Sequence, residues 1–362
     1  IAEFMRTFPK PETKSSNTNN NSPSAHPMET ESVNSFEELT IYDMREKIKQ
    51  EKLTQFAIPS YVESILEEAF YQCTSLTQIT IPSSVTSIED SAFYKCISLT
   101  QITIPSSVTS IGDSAFSYCR SLAQITIPSS VTSIGSNAFS GCSSLTQIAI
   151  PASVLSIGHN PFVDCTNLEA ITVDSKNPNY VSIDDVLFTK DIQTLLCYAC
   201  KNKQITYTIP SSVTSIGEEA FYQCSSLTKI TIPSSVTSIG YNAFYKCISL
   251  TQITIPSSVT SMEYNPFICC SNLETIHVDS KNPNYVSIDD ALFTKDIQTL
   301  ILYPCKNKRT KYTIPSSITT IGEDVFYQCS SLVQITIPAS VTSIEANPFT
   351  GCSSLETINV DS

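Results

Sequence analysis

The chain has 362 residues, of which 41% are hydrophobic and 15% are charged, and its formal net charge is −13. This composition is sufficient for a continuous core, while the negative charge disfavours general attraction to nucleic acid or to anionic membranes. No run of about 18 apolar residues occurs, so the sequence predicts no membrane-spanning helix and no direct membrane insertion.

The chain begins with a segment rich in Asn, Ser, Thr, Pro and Lys, and we predict that residues 1–34 form a disordered tail. Residues 1–4 stand ahead of Met5 and look like a vector-derived extension. The residues after Met5 lack the apolar stretch of a signal peptide. These residues therefore predict no signal peptide, while residues 1–4 leave open a leader that has been removed, and we expect the folded part to begin near residue 35.

Residues 35–58 occupy about one repeat length before the first regular unit and are predicted to form an N-terminal cap. Ser35 and Glu38 have the spacing of a capping box at a helix N-terminus. Apolar residues follow at roughly helical spacing, at Phe36, Ile41, Met44 and Ile48. A polar helix at this place would shield the open end of a stack of repeats from solvent.

A 23-residue unit fills most of the remaining chain, residues 59–362. It reads Pro-Ser-Ser-Val-Thr-Ser-Ile-Gly, two variable residues, Ala-Phe-x-x-Cys, and then x-Ser-Leu-x-x-Ile-x-Ile. The units open at Pro59, Pro82, Pro105, Pro128, Pro151, Pro210, Pro233, Pro256, Pro315 and Pro338. A fixed period of this size predicts a solenoid in which each unit packs against its neighbours.

Each unit predicts two extended pieces separated by a tight turn. The Leu-x-x-Ile-x-Ile segment alternates inward apolar and outward polar residues, so stacking would place its strands in a parallel sheet on one face. The Val-x-x-Ile and Ala-Phe-x-x-Cys segments predict short extended pieces, turns or 3₁₀ pieces on the other face. About 13 strands at roughly 4.8 Å spacing would give one sheet about 60 Å long.

Cysteine recurs at one place in the unit, at Cys73, Cys96, Cys119, Cys142, Cys165, Cys224, Cys247, Cys270, Cys329 and Cys352. The position after Ala-Phe predicts a ladder of small buried side chains. Nothing in the pattern selects pairs, so we predict reduced thiols. Cys197 and Cys200 have the C-x-x-C form but are interpreted as apolar strand residues, because a zinc or redox site would need a second pair nearby.

Two equivalent inserts break the period, at residues 174–209 and 279–314. Each carries Asp-Ser-Lys-Asn-Pro-Asn-Tyr-Val-Ser-Ile-Asp-Asp, then Leu-Phe-Thr-Lys-Asp and a second apolar run. This pattern predicts a β-hairpin that is closed by Lys-Asp and protrudes from the stack. Residues 151–255 and 256–360 are therefore tandem copies of one 105-residue block.

The unit Ile-Pro-Ser-Ser-Val-Thr-Ser-Ile-Gly-x-x-Ala-Phe-x-x-Cys-x-Ser-Leu-x-x-Ile-Thr resembles the BspA-type leucine-rich repeats, over residues 53–362. The inserts are also similar to a segment of that family. The resemblance implies a leucine-rich repeat solenoid, mainly β, curved and right-handed. For several members it implies adhesion to matrix proteins or to other cells, although function transfers loosely between members of a fold family.

We therefore expect a non-catalytic protein-binding module at the cell surface, whose partner is an extracellular matrix or cell-surface protein. The alternative is a cytoplasmic scaffold that docks an intracellular signalling protein on its concave face. A third hypothesis is self-association through the open C-terminal end. No phase of the repeat gathers a nucleophile, a base and an orienting acid, so we expect no enzyme activity, no metal and no cofactor.

The candidate partner-binding residues lie between the inward isoleucines of the predicted sheet. They form two polar columns, made by Gln78, Thr80, Gln101, Thr103, Gln124, Thr126, Lys229, Thr231, Gln252 and Thr254. The units just before the inserts depart from these columns, at Glu169, Thr172, Glu274 and His277. A uniform polar face suits weak multivalent contact with an extended partner, and it also suits plain solvation of an exposed sheet.

Two further surface features stand out. The only positive cluster is formed by Lys306, Lys308, Arg309 and Lys311, and it could attract an acidic partner or a sulfated glycan or serve as a solvated loop. A partial column of tyrosines follows the buried phenylalanine, at Tyr71, Tyr94, Tyr222, Tyr245 and Tyr327. This tyrosine ladder is predicted to lie on the side away from the polar columns.

Overall fold

The structure is a computed structural model that describes residues 39–307 and 309–361. The predicted tail at 1–34 and the predicted capping box of Ser35 and Glu38 lie outside the described residues. In the described part, parallel strands stack into a β-solenoid with one α-helix at its start. The predicted solenoid fold is confirmed.

The cap helix runs Ile41–Glu51. A capping box starts it: the Thr40 hydroxyl accepts the Asp43 N–H at 3.2 Å, and the Asp43 carboxylate accepts the Thr40 N–H at 3.0 Å. Lys52 ends the helix in the left-handed conformation, with φ of 52°. Its apolar face is buried in the core through Ile41, Met44 and Ile48, as the spacing predicts.

The Leu-x-x-Ile-x-Ile segments form what we call the front strands. In Gln101–Thr103 the central Ile102 is buried and both neighbours are exposed, as the alternation predicts. The front strands are Gln55–Ala57, Gln78–Thr80, Gln101–Thr103, Gln147–Ile150, Ala170–Val173, Thr206–Thr208, Lys229–Thr231, Gln252–Ile255, Thr275–Val278, Lys311–Thr313, Gln334–Ile337 and Thr357–Val360. Gln124 adds an isolated bridge to Gln101.

The Val-x-x-Ile segments form shorter back strands, in which a serine or threonine precedes the inward apolar residue. The back strands are Ser64–Ile65, Ser87–Ile88, Ser110–Ile111, Ser133–Ile134, Ser156–Ile157, Ser215–Ile216, Ser238–Ile239, Ser261–Met262, Thr320–Ile321 and Ser343–Ile344. The second serine of the Pro-Ser-Ser-Val segment also ties neighbouring units together. Ser107 Oγ donates to the Val85 carbonyl of the preceding unit at 2.6 Å.

The front strands do not form one continuous sheet. They divide into segments: Gln55 to Thr103 with the Gln124 bridge, Gln147 to Val173, Thr206 to Val278, and Lys311 to Val360. The two later breaks coincide with the inserts, because each insert occupies the place where the next front strand would pair. The expectation of a single sheet about 60 Å long is therefore wrong.

The Ala-Phe-x-x-Cys segments fold into short turns between the two strand types. In one unit the Ser117 N–H donates to the Ser114 carbonyl at 3.0 Å, and the Cys119 N–H donates to the Phe116 carbonyl at 3.1 Å. Ser114 and Tyr118 have φ of 54° and 59°. Such left-handed residues interrupt a right-handed helix, so each unit turns the chain without building a helix.

Stacked phenylalanines and cysteines fill the core beneath these turns. The rings of Phe93, Phe116 and Phe139 stack with centroids 5.2 and 5.5 Å apart, and such pairs contribute about 1 kcal/mol each beyond burial. The Cys142 thiol donates to the Phe116 carbonyl of the preceding unit at 3.2 Å. Burial raises the pKa of Cys142 to about 12, so the thiol stays protonated and able to donate.

Each insert contributes three antiparallel strands. They are Tyr180–Ile183, Val186–Thr189 and Thr194–Tyr198 in the first insert, and Tyr285–Ile288, Ala291–Thr294 and Thr299–Leu302 in the second. The predicted hairpin is the second pair of strands in each set. Leu187, Phe188 and Leu195 are fully buried, so the expected protrusion is wrong. The third strand pairs with the next back strand and continues the solenoid.

Two ladder cysteines form disulfides with insert cysteines, Cys200 with Cys224 and Cys305 with Cys329. The insert ends in a shortened coil in which Tyr198 stacks on Phe221 with centroids 5.2 Å apart. This stacking places Cys200 directly beside the next ladder cysteine. The prediction of reduced thiols is wrong for the ladder cysteines Cys224 and Cys329, and the interpretation of Cys200 as an apolar strand residue is wrong as well.

Candidate functional site

All fourteen candidate residues are exposed on the front face. They are Gln78, Thr80, Gln101, Thr103, Gln124, Thr126, Glu169, Thr172, Lys229, Thr231, Gln252, Thr254, Glu274 and His277. The candidates within strands, such as Gln101 and Thr103, point away from the buried isoleucines, since successive residues of a strand point to opposite faces. Glu169 and Glu274 stand just before the strands Ala170–Val173 and Thr275–Val278. The candidates are therefore available to a partner, although exposure alone does not distinguish binding from solvation.

Parallel pairing aligns the candidates into columns within each sheet segment. Gln78 pairs with Gln101, and Gln101 bridges to Gln124. In a later segment Lys229 pairs with Gln252, and Thr254 pairs with His277. The structure thus brings together six candidates before residue 130 and six between residues 229 and 277.

The two groups are not joined into one column. Thr172 lies in the segment Gln147 to Val173, which does not pair with the segment that contains Lys229. The first insert separates them. A partner that follows the columns would therefore meet separate patches rather than one uninterrupted ladder, with Glu169 and Thr172 at a third segment between the two groups.

Buried polar side chains hold the inserts at the ends of the front segments. Asn177 Nδ2 donates to the Pro151 and Val154 carbonyls at 2.9 and 3.0 Å, and its Oδ1 accepts the Asn179 and Tyr180 N–H groups at 2.9 Å each. Asn282 repeats these four bonds in the second insert. The hairpin predicted for the insert does not include this buried bonding.

The insert tyrosines close the exposed edge of the back strands. The Ile157 N–H donates to the Tyr180 hydroxyl at 2.8 Å, and the Met262 N–H donates to the Tyr285 hydroxyl at 2.9 Å. In a regular stack the neighbouring unit satisfies the backbone of a back strand. Here the insert stands in place of the neighbouring unit, and its tyrosine hydroxyl accepts the hydrogen bond. The back strands therefore stop pairing at this point without leaving the Ile157 or Met262 N–H unpaired.

The tyrosine ladder lies along the turns. Tyr71 stacks on Tyr94 with ring centroids 5.2 Å apart, and Tyr222 stacks on Tyr245 at 4.7 Å. Lysines lie over these rings: Lys95 Nζ is 5.2 Å from the Tyr94 centroid, and Lys246 Nζ is 5.2 Å from the Tyr245 centroid. These are cation–π contacts.

Other charged side chains on the surface occur in the basic run and at His159. In the basic run, Arg309 makes an ion pair with Asp289 at 3.5 Å, and Lys308 lies outside the described residues. His159 is exposed, with its Nδ1 3.8 Å from the Glu218 carboxylate.

Across residues 39–307 and 309–361, no group of three His, Cys, Asp or Glu side chains is placed to hold a metal ion. No helix in the described part is long and apolar enough to cross a membrane.

Several known proteins resemble this chain. A family model for the BspA type leucine rich repeat region matches residues 45–169, 190–307 and 295–362, in six copies. A leucine rich cell surface protein from Faecalibacterium prausnitzii is 31% identical, with a TM-score of 0.54, and the match covers 87% of this chain and 81% of that chain. A leucine-rich repeat protein from Eubacterium ventriosum is 25% identical, with a TM-score of 0.55, covering 84% and 78% of the two chains.

The pneumococcal vaccine antigen PcpA is 21% identical, with a TM-score of 0.55 and coverage of 85% of this chain and 79% of that chain. At this identity the likeness concerns the fold alone. No curated protein matches the chain at a significant level. The family model spans most of the 362 residues and agrees with the stacked units of the fold. The chain therefore belongs to the BspA-type leucine-rich repeat proteins.

Proposed function

We propose that the chain is a cell-surface adhesion module that binds a protein of the extracellular matrix or of another cell through its front face. The observation that carries the proposal is the pair of polar columns exposed on the parallel front strands. A repeat protein of this family is a protein-binding scaffold, and no catalytic step is part of the proposal. The 31% identical protein of Faecalibacterium prausnitzii is described as a cell surface protein, which supports the location.

The uniform columns favour a particular mode of binding. Neutral amide and hydroxyl groups recur at the strand spacing, so an extended partner could repeat the same weak contact along several units. The units that precede the inserts add charge to this pattern, through Glu169, Glu274 and His277. We propose that these units set the register of the partner, because charged groups discriminate between partners better than uniform polar columns do.

Replacing Gln101, Thr103, Gln124 and Thr126 by lysine should weaken binding to the matrix or cell-surface partner at least about tenfold. Four lysines on adjacent strands would place long charged side chains where the partner must approach. The matched control carries the same charge change at Ser60, Ser83, Ser106 and Ser129. These serines are exposed and lie outside the front strands. Equal binding by the two lysine variants, measured by surface plasmon resonance, would refute the front face as the binding site.

The alternative is a cytoplasmic scaffold that docks a signalling protein on the same face. Surface biotinylation of intact cells separates the two proposals, because only a protein at the cell surface reacts with a reagent that does not cross the membrane. Labelling before lysis supports adhesion. Labelling that requires lysis supports the scaffold and rules out the surface proposal.

Self-association through the last unit is a second candidate, favoured by the exposed apolar residues Ile344, Ile358 and Val360, which are 50%, 47% and 70% exposed. An apolar strand edge of this kind can pair with a second copy. We expect light scattering of this chain to show dimers that increase with concentration and disappear on Ile358→Lys. A monomer at all concentrations would rule this out.

A further inference from the structure

A groove of about 370 Å³ interrupts the tyrosine ladder beside the first insert. Tyr94 and Tyr118 line one side of it and Tyr222 lines the other. In the three units that open at Pro105, Pro128 and Pro151, Ser117, Ser140 and Val163 occupy the ladder position that tyrosine holds elsewhere. The groove therefore opens because small residues replace aromatic rings, and its volume is within the roughly 300–1,000 Å³ of binding pockets.

Three carboxylates line this groove, Asp164, Glu218 and Glu219, and they come from both sides of the insert. Asp164 belongs to the unit before the insert and Glu219 to the unit after it. Asn160 Nδ2 donates to Glu219 Oε2 at 3.0 Å. Glu218 is paired with His159 at 3.8 Å, whereas among the described residues neither Asp164 nor Glu219 is in an ion pair. The groove thus combines aromatic walls with two carboxylates, Asp164 and Glu219, that form no ion pair in the described residues, beside the His159–Glu218 pair.

The environment of the carboxylates penalises their charge in the free protein. Burial raises the pKa of Asp164, against the opposing effect of Lys246 and Arg120. Burial, with a contribution from Glu218, also raises the pKa of Glu219. A cation that enters the groove would offset this penalty, since an adjacent opposite charge favours the ionised form of a carboxyl group.

The tyrosine ladder already binds cations of its own chain. Lys95 Nζ lies 5.2 Å from the Tyr94 centroid and 5.9 Å from the Tyr118 centroid. Lysine at this position, just before the ladder cysteine, reaches the tyrosine of its own turn, as Lys246 does for Tyr245. The corresponding residue beside Tyr222 is Gln223. The Tyr222 ring, which lines the groove, therefore has a glutamine at the position from which Lys246 covers the neighbouring Tyr245 ring.

We propose that this groove binds an arginine side chain presented by a protein partner. A planar guanidinium would stack on Tyr222 and donate to Asp164 and Glu219 together, which the point charge of a lysine does less well. The inference rests on the proposed protein-binding function but adds a second site, separate from the front face. It specifies the chemistry of the partner: a surface segment with an exposed arginine.

The equivalent place before the second insert is filled by side chains. Tyr245 stands where Ser140 is, and Cys269 stands where Asp164 is. The Tyr245 and Tyr327 hydroxyls both lie against the Cys269 thiol. The site is therefore open before the first insert and filled before the second. The residues that fill the second site show which substitutions should fill the first.

The test is a titration of the intact chain with the peptide acetyl-Gly-Arg-Gly-amide, followed by saturation-transfer NMR. We expect a dissociation constant on the order of 1 mM, weaker binding of the lysine peptide and no binding of acetyl-Gly-Gln-Gly-amide. Ser140→Tyr should weaken arginine binding at least tenfold. This variant is compatible with the fold, because tyrosine occupies the same position in five other units.

Asp164→Asn should also weaken arginine binding at least tenfold, because it removes the charge while keeping the shape of the side chain. Ser106→Tyr, on an exposed site away from the groove, is the matched control and should leave the affinity unchanged. Equal binding of the arginine and glutamine peptides, or full affinity in both Ser140→Tyr and Asp164→Asn, would overturn the proposal.

The groove proposal and the front-face proposal can be refuted separately. The front-face lysine variant described above keeps the groove and should bind the arginine peptide with unchanged affinity. Loss of partner binding in that variant, together with retained peptide binding, supports both sites as separate. Absence of arginine binding in the unmodified chain overturns the groove proposal and leaves the front-face proposal to its own test.

Discussion

Replacing Cys200 and Cys305 by serine should lower the free energy of unfolding by about 3 kcal/mol for each disulfide lost. Each bridge joins cysteines 24 residues apart, and a cross-link of this span stabilises chiefly by restricting the unfolded chain. Urea titration of the oxidised protein, followed by circular dichroism, should show a lower midpoint in each single variant. The two single effects should add, since the bridges lie in different blocks.

A reducing agent provides the matched comparison. Dithiothreitol should lower the urea midpoint of the unmodified chain and leave the Cys200→Ser/Cys305→Ser variant unchanged. Cys142→Ser is the control, because Cys142 belongs to the same ladder but is a free thiol. It should remain sensitive to dithiothreitol. In the unfolded, unreduced protein, iodoacetamide should label ten of the fourteen cysteines, and labelling of all fourteen would contradict the bridges.

Replacing Asn177 by alanine should destabilise the first insert by about 3 kcal/mol or more, because it leaves buried polar backbone groups without partners. The side chain is 1% exposed, and its four hydrogen bonds join the insert to the end of the preceding unit. Hydrogen exchange followed by mass spectrometry should show faster exchange in Tyr180–Ile183 and Val186–Thr189. Asn282→Ala should do the same in the second insert.

Asn179→Ala is the control for this prediction. Asn179 is exposed, and its side chain donates one hydrogen bond, to the Leu155 carbonyl at 2.7 Å. We expect a loss of about 1 kcal/mol, close to the average net contribution of one hydrogen bond. If Asn177→Ala costs no more than Asn179→Ala, the buried asparagine does not hold the insert in place.

The inward-facing residues of each unit could be predicted from the sequence because the repeat has a fixed phase. Ile102, Phe116 and Cys119 occupy positions that recur every 23 residues, and in the structure all three are buried. Each stacked unit packs against neighbours that carry the same residue types at the same positions. The alternation in one strand therefore predicts the buried positions of all the units. The cap helix was also predictable, since Ile41, Met44 and Ile48 share one helical face.

The candidate front-face residues could likewise be placed on an exposed surface from alternation alone. Their division into separate patches could not, because it depends on where an insert displaces the pairing of the next strand. Thr172 and Lys229 belong to the same polar pattern in the sequence, yet they lie in sheets that do not pair. Residues that recur at one position of the repeat line up in space only where hydrogen bonds join their strands without a break.

The sequence by itself determined the solenoid, its inward faces and the family to which the chain belongs. Only the tertiary structure decided that Cys200 bonds to Cys224 and that Asp164, Glu219 and Tyr222 line one groove beside the first insert. The physical reason is that a period encodes contacts between consecutive units, whereas an insert replaces one unit with a coil of different length. The side chains that meet across that coil depend on how it folds, and the repeat pattern contains no information about its path.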